Sequence, residues 1–430
     1  MMKATKIQNV DALEILDSRG NPTIQVEVTL HDGTTGVACV PSGASTGQHE
    51  AVELRDHDTH RYQGLGVLHA VKNVRTILGP AIAGMEATQQ TDIDAMLIHT
   101  DGTSNKSKLG ANAILGISMA VARAAAQSLH LPLYHYLGGP TARRLPVPMM
   151  NVINGGKHAG NRLDFQEFMM VPHGAPNFHE ALRYGVETFK ALQRTLEKRG
   201  LPTAVGDEGG FAPDLNNNDE ACDLIVDAIE TAGFRPGVDI SIALDPAASS
   251  FFKDGNYHFA SGKTLGRSAL LDLYRRWVEV FPIVSIEDGF DEADWDGYIA
   301  QTAEMGDRIQ IVGDDNYVTN TKFIADGIRK KASNAVLIKL NQIGTITETI
   351  EAIELAHDTG WRTVVSHRSG ETEDTFIADF AVALGTGQIK TGSLCRSERV
   401  AKYNRLLRIE KELGSNAEFS SPYHFVQSAV

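Results

Sequence analysis

The chain has 430 residues, 42% of them hydrophobic and 22% charged, with a formal net charge of -14. Such a length exceeds one small core and sets two domains as the expectation. The composition is that of a soluble globular protein, and the acidic balance argues against nucleic acid or an anionic membrane as the main partner. It leaves room for an anionic small substrate, because a bound metal inverts the local field.

The three cysteines, Cys39, Cys222 and Cys395, are far apart and odd in number. They form neither a disulfide framework nor a metal-ligand spacing, and they point to a reducing cytosol. The N-terminus "MMKATKIQNVDALEIL" lacks the apolar core of a signal peptide. No apolar run approaches the ~20 residues that a membrane span needs, so no membrane insertion is expected.

Residues 5–40 alternate as half-buried strands do, with Ile24, Val26, Val28 and Leu30 on one face. The Asp-Gly turn in "HDGT" returns the chain as "TTGVACV", which predicts an antiparallel meander. The Gly/Ser-rich loop "PSGASTGQHE" follows; it lacks the Gly-Lys-Ser/Thr ending of a Walker motif. Helical spacing marks Leu65–Ile82 and the Ala-rich stretch Ala111–Leu129, where Arg123 and Gln127 identify a buried soluble helix. The Pro- and Gly-rich segment 130–151 is expected to exclude helix and to hold the domain boundary. The domains are placed at 1–137 and 141–430.

Beyond the boundary, "NVINGGKHAGNRLDFQEFMMVP" predicts a strand, a Gly-rich loop and a second strand carrying Glu167. Helices are expected over Ala175–Gly200 and Asp219–Gly233, separated by the loop "TAVGDEGGFAP". Five short apolar runs then end in ionisable residues. "ISIALD" ends at Asp245, "IVSIED" at Glu287 and Asp288, and "IQIVGDD" at Asp314 and Asp315; "AVLIKL" carries Lys339 and "TVVSH" ends at His367. Spacings of roughly 30 residues leave room for one crossover helix each, the βαβ unit. Repetition of that unit predicts a (β/α) barrel, whose functional groups gather at the C-terminal ends of its strands.

The chemistry follows from these positions. Asp245, Glu287 and Asp314, brought together, repel one another unless a cation shares them, and hard oxygen ligands suit Mg²⁺. Lys339 and Lys390 lie at strand ends in apolar or small-residue surroundings, where a neighbouring cation would favour a neutral amine able to act as a base. In "DEGG" either Asp207 or Glu208 is placed to act as a general acid, next to glycines that let the backbone approach a ligand. "SHRSGETED" reads as a helix N-terminus beside Arg368 and Ser369, an anion site.

Taken with "EILDSRGNPT", "VPSGASTGQHEA", "GGKHAGN", "FQEFM", "GDEGGFAP", "LDPAAS", "LIKLNQIGT" and "KTGSLCRSER", these motifs resemble the enolase family over nearly the whole length. The resemblance implies a modified TIM-like (β/α)8 barrel with an antiparallel start, behind a smaller α+β N-terminal domain. It implies the reversible dehydration of 2-phosphoglycerate to phosphoenolpyruvate in glycolysis and gluconeogenesis, with two Mg²⁺ per active site. Lys339 matches the base that takes the C2 proton, Glu208 the acid that assists loss of the C3 hydroxyl, and Glu167 its support. Asp245, Glu287 and Asp314 match the ligands of one Mg²⁺, and Ser45 the loop serine that joins the second. Arg368 and Ser369 match the phosphate binders, Lys390 the carboxylate lysine, and His158 and His367 the active-site histidines. A cytoplasmic homo-oligomer, dimer or octamer, is implied. Family members also bind plasminogen at bacterial surfaces, which adds a secreted or surface-bound binding role as a second class. Leu13 and Gly289 depart from the arginine and proline common in the family.

Overall fold

The structure, a computed structural model, describes residues 5–44 and 46–423. Strands β1 (Ile7–Leu16), β2 (Pro22–Leu30) and β3 (Thr35–Cys39) form the expected antiparallel meander. Ile24, Val26, Val28 and Leu30 are all fully buried on its inner face, so the alternation was a true period-two signal. That face packs on α1 (Ala111–Ser128). Contact is close because two glycines lack a Cβ. One added at Gly36 would stand 2.1 Å from Ala120 O, and one at Gly116 would stand 2.5 Å from Val26 Cγ2.

Two local expectations were incomplete. The helix expected over Leu65–Ile82 starts at Leu68 and passes through a π turn at Val74–Leu78. The boundary segment does contain a helix, Leu133–Gly138, contrary to the sequence reading. Pro132 precedes its first turn, where a missing N–H costs nothing, and Gly139 ends it at φ +73°.

Eight strands then close into a barrel. They are β4 (Val147–Asn154), β5 (Glu167–Val171), β6 (Ser241–Asp245), β7 (Ile283–Glu287), β8 (Gln310–Gly313), β9 (Ala335–Ile338), β10 (Arg362–Ser366) and β11 (Gln388–Lys390). Strand β5 runs antiparallel to both β4 and β6, and the other neighbours are parallel. The amphipathic helices α2 (Phe178–Lys198) and α3 (Asn218–Thr231) are each capped by an asparagine, Asn177 and Asn217, accepting from a first-turn N–H. A small three-stranded sheet over 252–265 was not anticipated; its strands are two or three residues long and too short to leave a periodicity. No helix among the described residues is long and apolar enough to cross a membrane.

Buried ion pairs join the small domain to the barrel, and the one on α1 is bidentate. Arg123 on α1 donates from both terminal nitrogens to Asp374, each at 2.7 Å. Asp374 also accepts from Cys39 N and from Phe376 N. Burial would raise the Asp374 pKa, but the Arg123 guanidinium outweighs it and holds the carboxyl below its ordinary value. Asp374→Ala leaves a largely buried guanidinium unpaired and is expected to cost ~3–5 kcal/mol in urea denaturation. The pair's contribution should be full above the ordinary aspartate pKa of about 3.9 and fade as pH falls through the lowered folded value.

Candidate active site

Each barrel strand delivers its last residues to one mouth, and the antiparallel β5 delivers its first. Glu167 opens β5 opposite Asp245, the final residue of β6, and opposite Asn154, the final residue of β4. A parallel strand would have sent Glu167 to the far end of the barrel. The carboxylates Asp245, Glu287 and Asp314 come from three adjacent strands, and Lys339, His367 and Lys390 from the next three. Lys339 and Glu167 lie four strands apart, on opposite walls of the mouth. His158, Glu208, Arg368 and Ser369 line the same cleft.

At the mouth the lysines hold the acids. Lys390 Nζ lies 2.7 Å from Asp245 Oδ2, 2.9 Å from Glu287 Oε1 and 3.1 Å from Glu167 Oε1. Burial disfavours its charge, yet these carboxylates raise its pKa well above the ordinary value. Lys339 Nζ contacts Asp314 Oδ2, and here too the carboxylate outweighs burial and raises the lysine. The same contact lowers Asp314 against its own burial. Glu287 is raised well above the ordinary range by burial and then by the charge of Asp245. Each amine thus faces anions that favour its charged form.

Glu287 Oε2 is buried and has no hydrogen-bond partner among the described residues, and it stands beside acids that repel it. Buried anionic oxygens of this kind suit a hard divalent ion. Among the described residues, however, the acids whose oxygens all lie within 4.8 Å of one another are Asp288, Asp314 and Asp315, not the three strand-end acids expected together. Asp288 explains this. Its carboxylate accepts from Asp314 N at 2.8 Å, Asp315 N at 3.1 Å and the Tyr298 hydroxyl at 2.9 Å, so it sets the loop that presents Asp314. These bonds hold Asp288 at φ +42°, a conformation rare outside glycine. Burial and neighbouring acids raise it to about 7.

Glu208, not Asp207, enters the cleft. Gly209 at φ +88° turns the loop, and a Cβ there would stand 2.9 Å from Cys395 O. Asn151 Nδ2 donates to Glu208 Oε2 at 3.1 Å, and His367 Nε2 lies 3.3 Å from that oxygen, outside hydrogen-bond geometry. His158 Nδ1 lies 3.9 Å from both Glu167 and Glu208. Burial and the Glu208 charge raise Glu167 well above the ordinary range; burial acts on Glu208 too, but the surrounding imidazoles and Arg399 pull it well below. These directions favour a shared proton on Glu167.

The anion pocket is built differently from the expectation. Residues 366–370 form a loop, and α4 (Phe376–Ala383) begins only after Thr375. The reason is that Ser42 and Gly370 exchange backbone hydrogen bonds, 2.8 Å each way, which pins this segment to the small domain's loop. Arg368 donates to Glu50 at 3.0 and 3.1 Å and to Asn341 at 2.9 Å. A Cβ at Gly43 would stand 2.0 Å from Arg368 Nη2, so a side chain there would push the guanidinium aside. Ser369 Oγ accepts from Ala44 N at 2.7 Å. Ser45 lies outside the described residues.

Sequence reasoning did not single out Asn151, Glu50, Asn341, Gln342 or Arg399. Gln342 donates to Asp314 Oδ1 at 2.8 Å. Asn151 had a signal: it is a polar residue inside the otherwise apolar strand "VPMMNVIN". Glu50 and Asn341 had none, because both read as ordinary loop or turn residues.

Fold and site together define a barrel enzyme that works on a small anion among buried carboxylates and lysines. A family model described as "Enolase, C-terminal TIM barrel domain" matches residues 142–427, and "Enolase, N-terminal domain" matches residues 7–137. The chain is 62% identical over 420 residues to Enolase 1 of Methylococcus capsulatus, covering 97% of this chain and 100% of that one. It is 60% identical over 415 residues to the enolase of Desulfotalea psychrophila, covering 96% and 98%. The chain belongs to the enolase family, whose members are phosphopyruvate hydratases, carbon–oxygen lyases of glycolysis.

Proposed function

We propose that the chain converts 2-phospho-D-glycerate reversibly to phosphoenolpyruvate, with Lys339 as base at C2 and Glu208 as acid at the C3 hydroxyl. The observation that carries this assignment is the placement of Lys339 and the Glu167–Glu208 pair on opposite walls of one mouth. A substrate held between them presents its C2 hydrogen to one wall and its C3 hydroxyl to the other.

Asp245, Glu287 and Asp314 would hold one Mg²⁺, and Ser45 would join a second to the substrate phosphate. When bound, Mg²⁺ supplies the concentrated positive charge that a dianionic, carboxylate-stabilised carbanion needs. Lys390 binds the substrate carboxylate and adds its own charge to that stabilisation. Once Asp314 no longer faces it, the Lys339 ammonium releases its proton to solvent, and the neutral amine then accepts the C2 proton. Glu208 receives the pair's proton from Glu167 and passes it to the departing hydroxyl. His158 and the loop around Ser42–Ala44 exclude water.

The reading includes a small domain at 1–137, a barrel domain at 141–430, and a homo-oligomer in the cytoplasm. Leu13 and Leu16, 47% and 54% exposed on β1, support a self-association surface, and the scattered cysteines support the compartment.

The rise in ultraviolet absorbance as phosphoenolpyruvate forms from 2-phosphoglycerate tests the activity; a pure, folded protein that produces none with Mg²⁺ present overturns it. A sibling reaction on a non-phosphorylated acid is separated by Arg368→Ala. If Arg368 reads the phosphate, kcat/KM for 2-phosphoglycerate falls about 10²-fold or more, in line with loss of a desolvated charge-assisted contact. Any turnover of glycerate should change far less, and equal losses on both would show that Arg368 does not read the phosphate.

A further inference from the structure

Helix α5 (Ser397–Leu413) carries Arg399, which is fully buried although nothing in its sequence setting, "SERVAKYNRLL", marks it for the site. Its guanidinium joins two segments of the cleft, 367–369 and the loop at Asp207. Nη1 donates to His367 Nδ1 and to Arg368 O, each at 2.6 Å. Nη2 donates to Ser369 O at 2.6 Å and to Asp207 O at 3.2 Å.

Arginine has donors and no acceptor, and it keeps its charge at any working pH. His367 Nδ1 must therefore accept, and the imidazole proton must sit on Nε2, the nitrogen that faces Glu208 Oε2 at 3.3 Å. We infer that Arg399 is a positioning residue that fixes the tautomer of His367 and so leaves the proton that Glu208 receives free for the leaving hydroxyl. This inference rests on the reading of Glu208 as the acid.

The other tautomer would spoil the chemistry in both states of the acid. With Nδ1 protonated, Nε2 would turn a lone pair toward Glu208. A protonated Glu208 would then donate to the imidazole instead of to the leaving hydroxyl, and an ionised Glu208 would face that lone pair. Full protonation of His367 is blocked as well. The second proton would lie on Nδ1 against a guanidinium 2.6 Å away. Burial, with Arg399 adding to it, already pushes the imidazole down to about 4. Arg399 thus leaves His367 neutral, with its Nε2–H facing Glu208.

Long-range proton–nitrogen spectra of the histidine-labelled, full-length enzyme read the tautomer directly. In the parent, His367 should show an unprotonated Nδ1 and a protonated Nε2. Arg399→Met should lose that preference and lower kcat for dehydration by about 10²-fold, the scale of one misplaced acid–base group. Exchange of the C2 hydrogen with solvent deuterium should survive, because Lys339 is untouched. Arg399→Lys, which can still donate to Nδ1, should recover the tautomer and most of the lost turnover. A parent with its proton on Nδ1 overturns the inference, even if the methionine variant does not fold. So does an Arg399→Met that keeps Nε2 protonated yet loses turnover, or one that only raises KM, since either shows mere support of the loops. A parent that shows the expected tautomer but neither exchanges nor dehydrates 2-phosphoglycerate refutes the proposed reaction instead.

Discussion

Glu208→Gln will still exchange the C2 hydrogen of 2-phosphoglycerate with solvent deuterium while forming almost no phosphoenolpyruvate. Lys339→Ala will lose both. The two halves of the reaction meet at a carbanion-like intermediate, and each variant removes the catalyst of one half. Glutamine keeps the size of Glu208 and can still meet Asn151 Nδ2 through its carbonyl oxygen, which lies 3.1 Å from the carboxylate in the parent. What it loses is the ability to take the proton held on Glu167 and pass it on. Alanine at 339 leaves nothing on that wall to start the reaction, and it frees Asp314 from its amine. General acid and base groups contribute ~10²–10⁴-fold each, so both losses should stand clear of assay noise. Mass spectrometry of recovered substrate reads exchange, absorbance reads product, and melting curves exclude unfolding. A folded Lys339→Ala that exchanged at the parent rate would remove Lys339 as the base and leave Lys390 as the candidate.

Much of this site was legible because barrel geometry turns sequence position into spatial position. A short apolar run followed by a charged residue marks a strand end, and Asp245, Glu287, Asp314, Lys339 and His367 all reached the mouth on that signal. Glu167 shows the limit. Its place depends on β5 running backwards, and strand direction leaves no periodicity to read. The loop at 366–370 shows another: local pattern favoured a helix start, but two long-range backbone bonds to Ser42 decided otherwise. Asp288 was visible only as a neighbour of Glu287, and its task of setting the Asp314 loop depends on three donors from distant segments. Arg399 lies on an amphipathic helix, where an arginine reads as a solvated side chain until its burial is known.

Metal removal should abolish turnover, and added Mg²⁺ should restore it. Asp245 and Glu287 meet on one ammonium, Lys390 Nζ, with the second Glu287 oxygen buried and unpartnered. That amine can balance only part of the charge collected there, and a divalent ion would satisfy the oxygen it leaves over. Binding is therefore expected to stabilise the folded chain as well as to support the reaction. At a hundredfold excess over the dissociation constant a single site adds about 2.7 kcal/mol, enough to see in a melting curve. Glu287→Gln keeps the shape of the side chain and removes its charge, so it should melt near the apo parent and show little further rise with Mg²⁺. The melting shift is independent of catalysis, which separates a failed metal site from a failed reaction. A parent whose melting curve ignores Mg²⁺ at every concentration, and which turns over in chelator, would show that Asp245, Glu287 and Asp314 serve only to hold Lys339 and Lys390 in place.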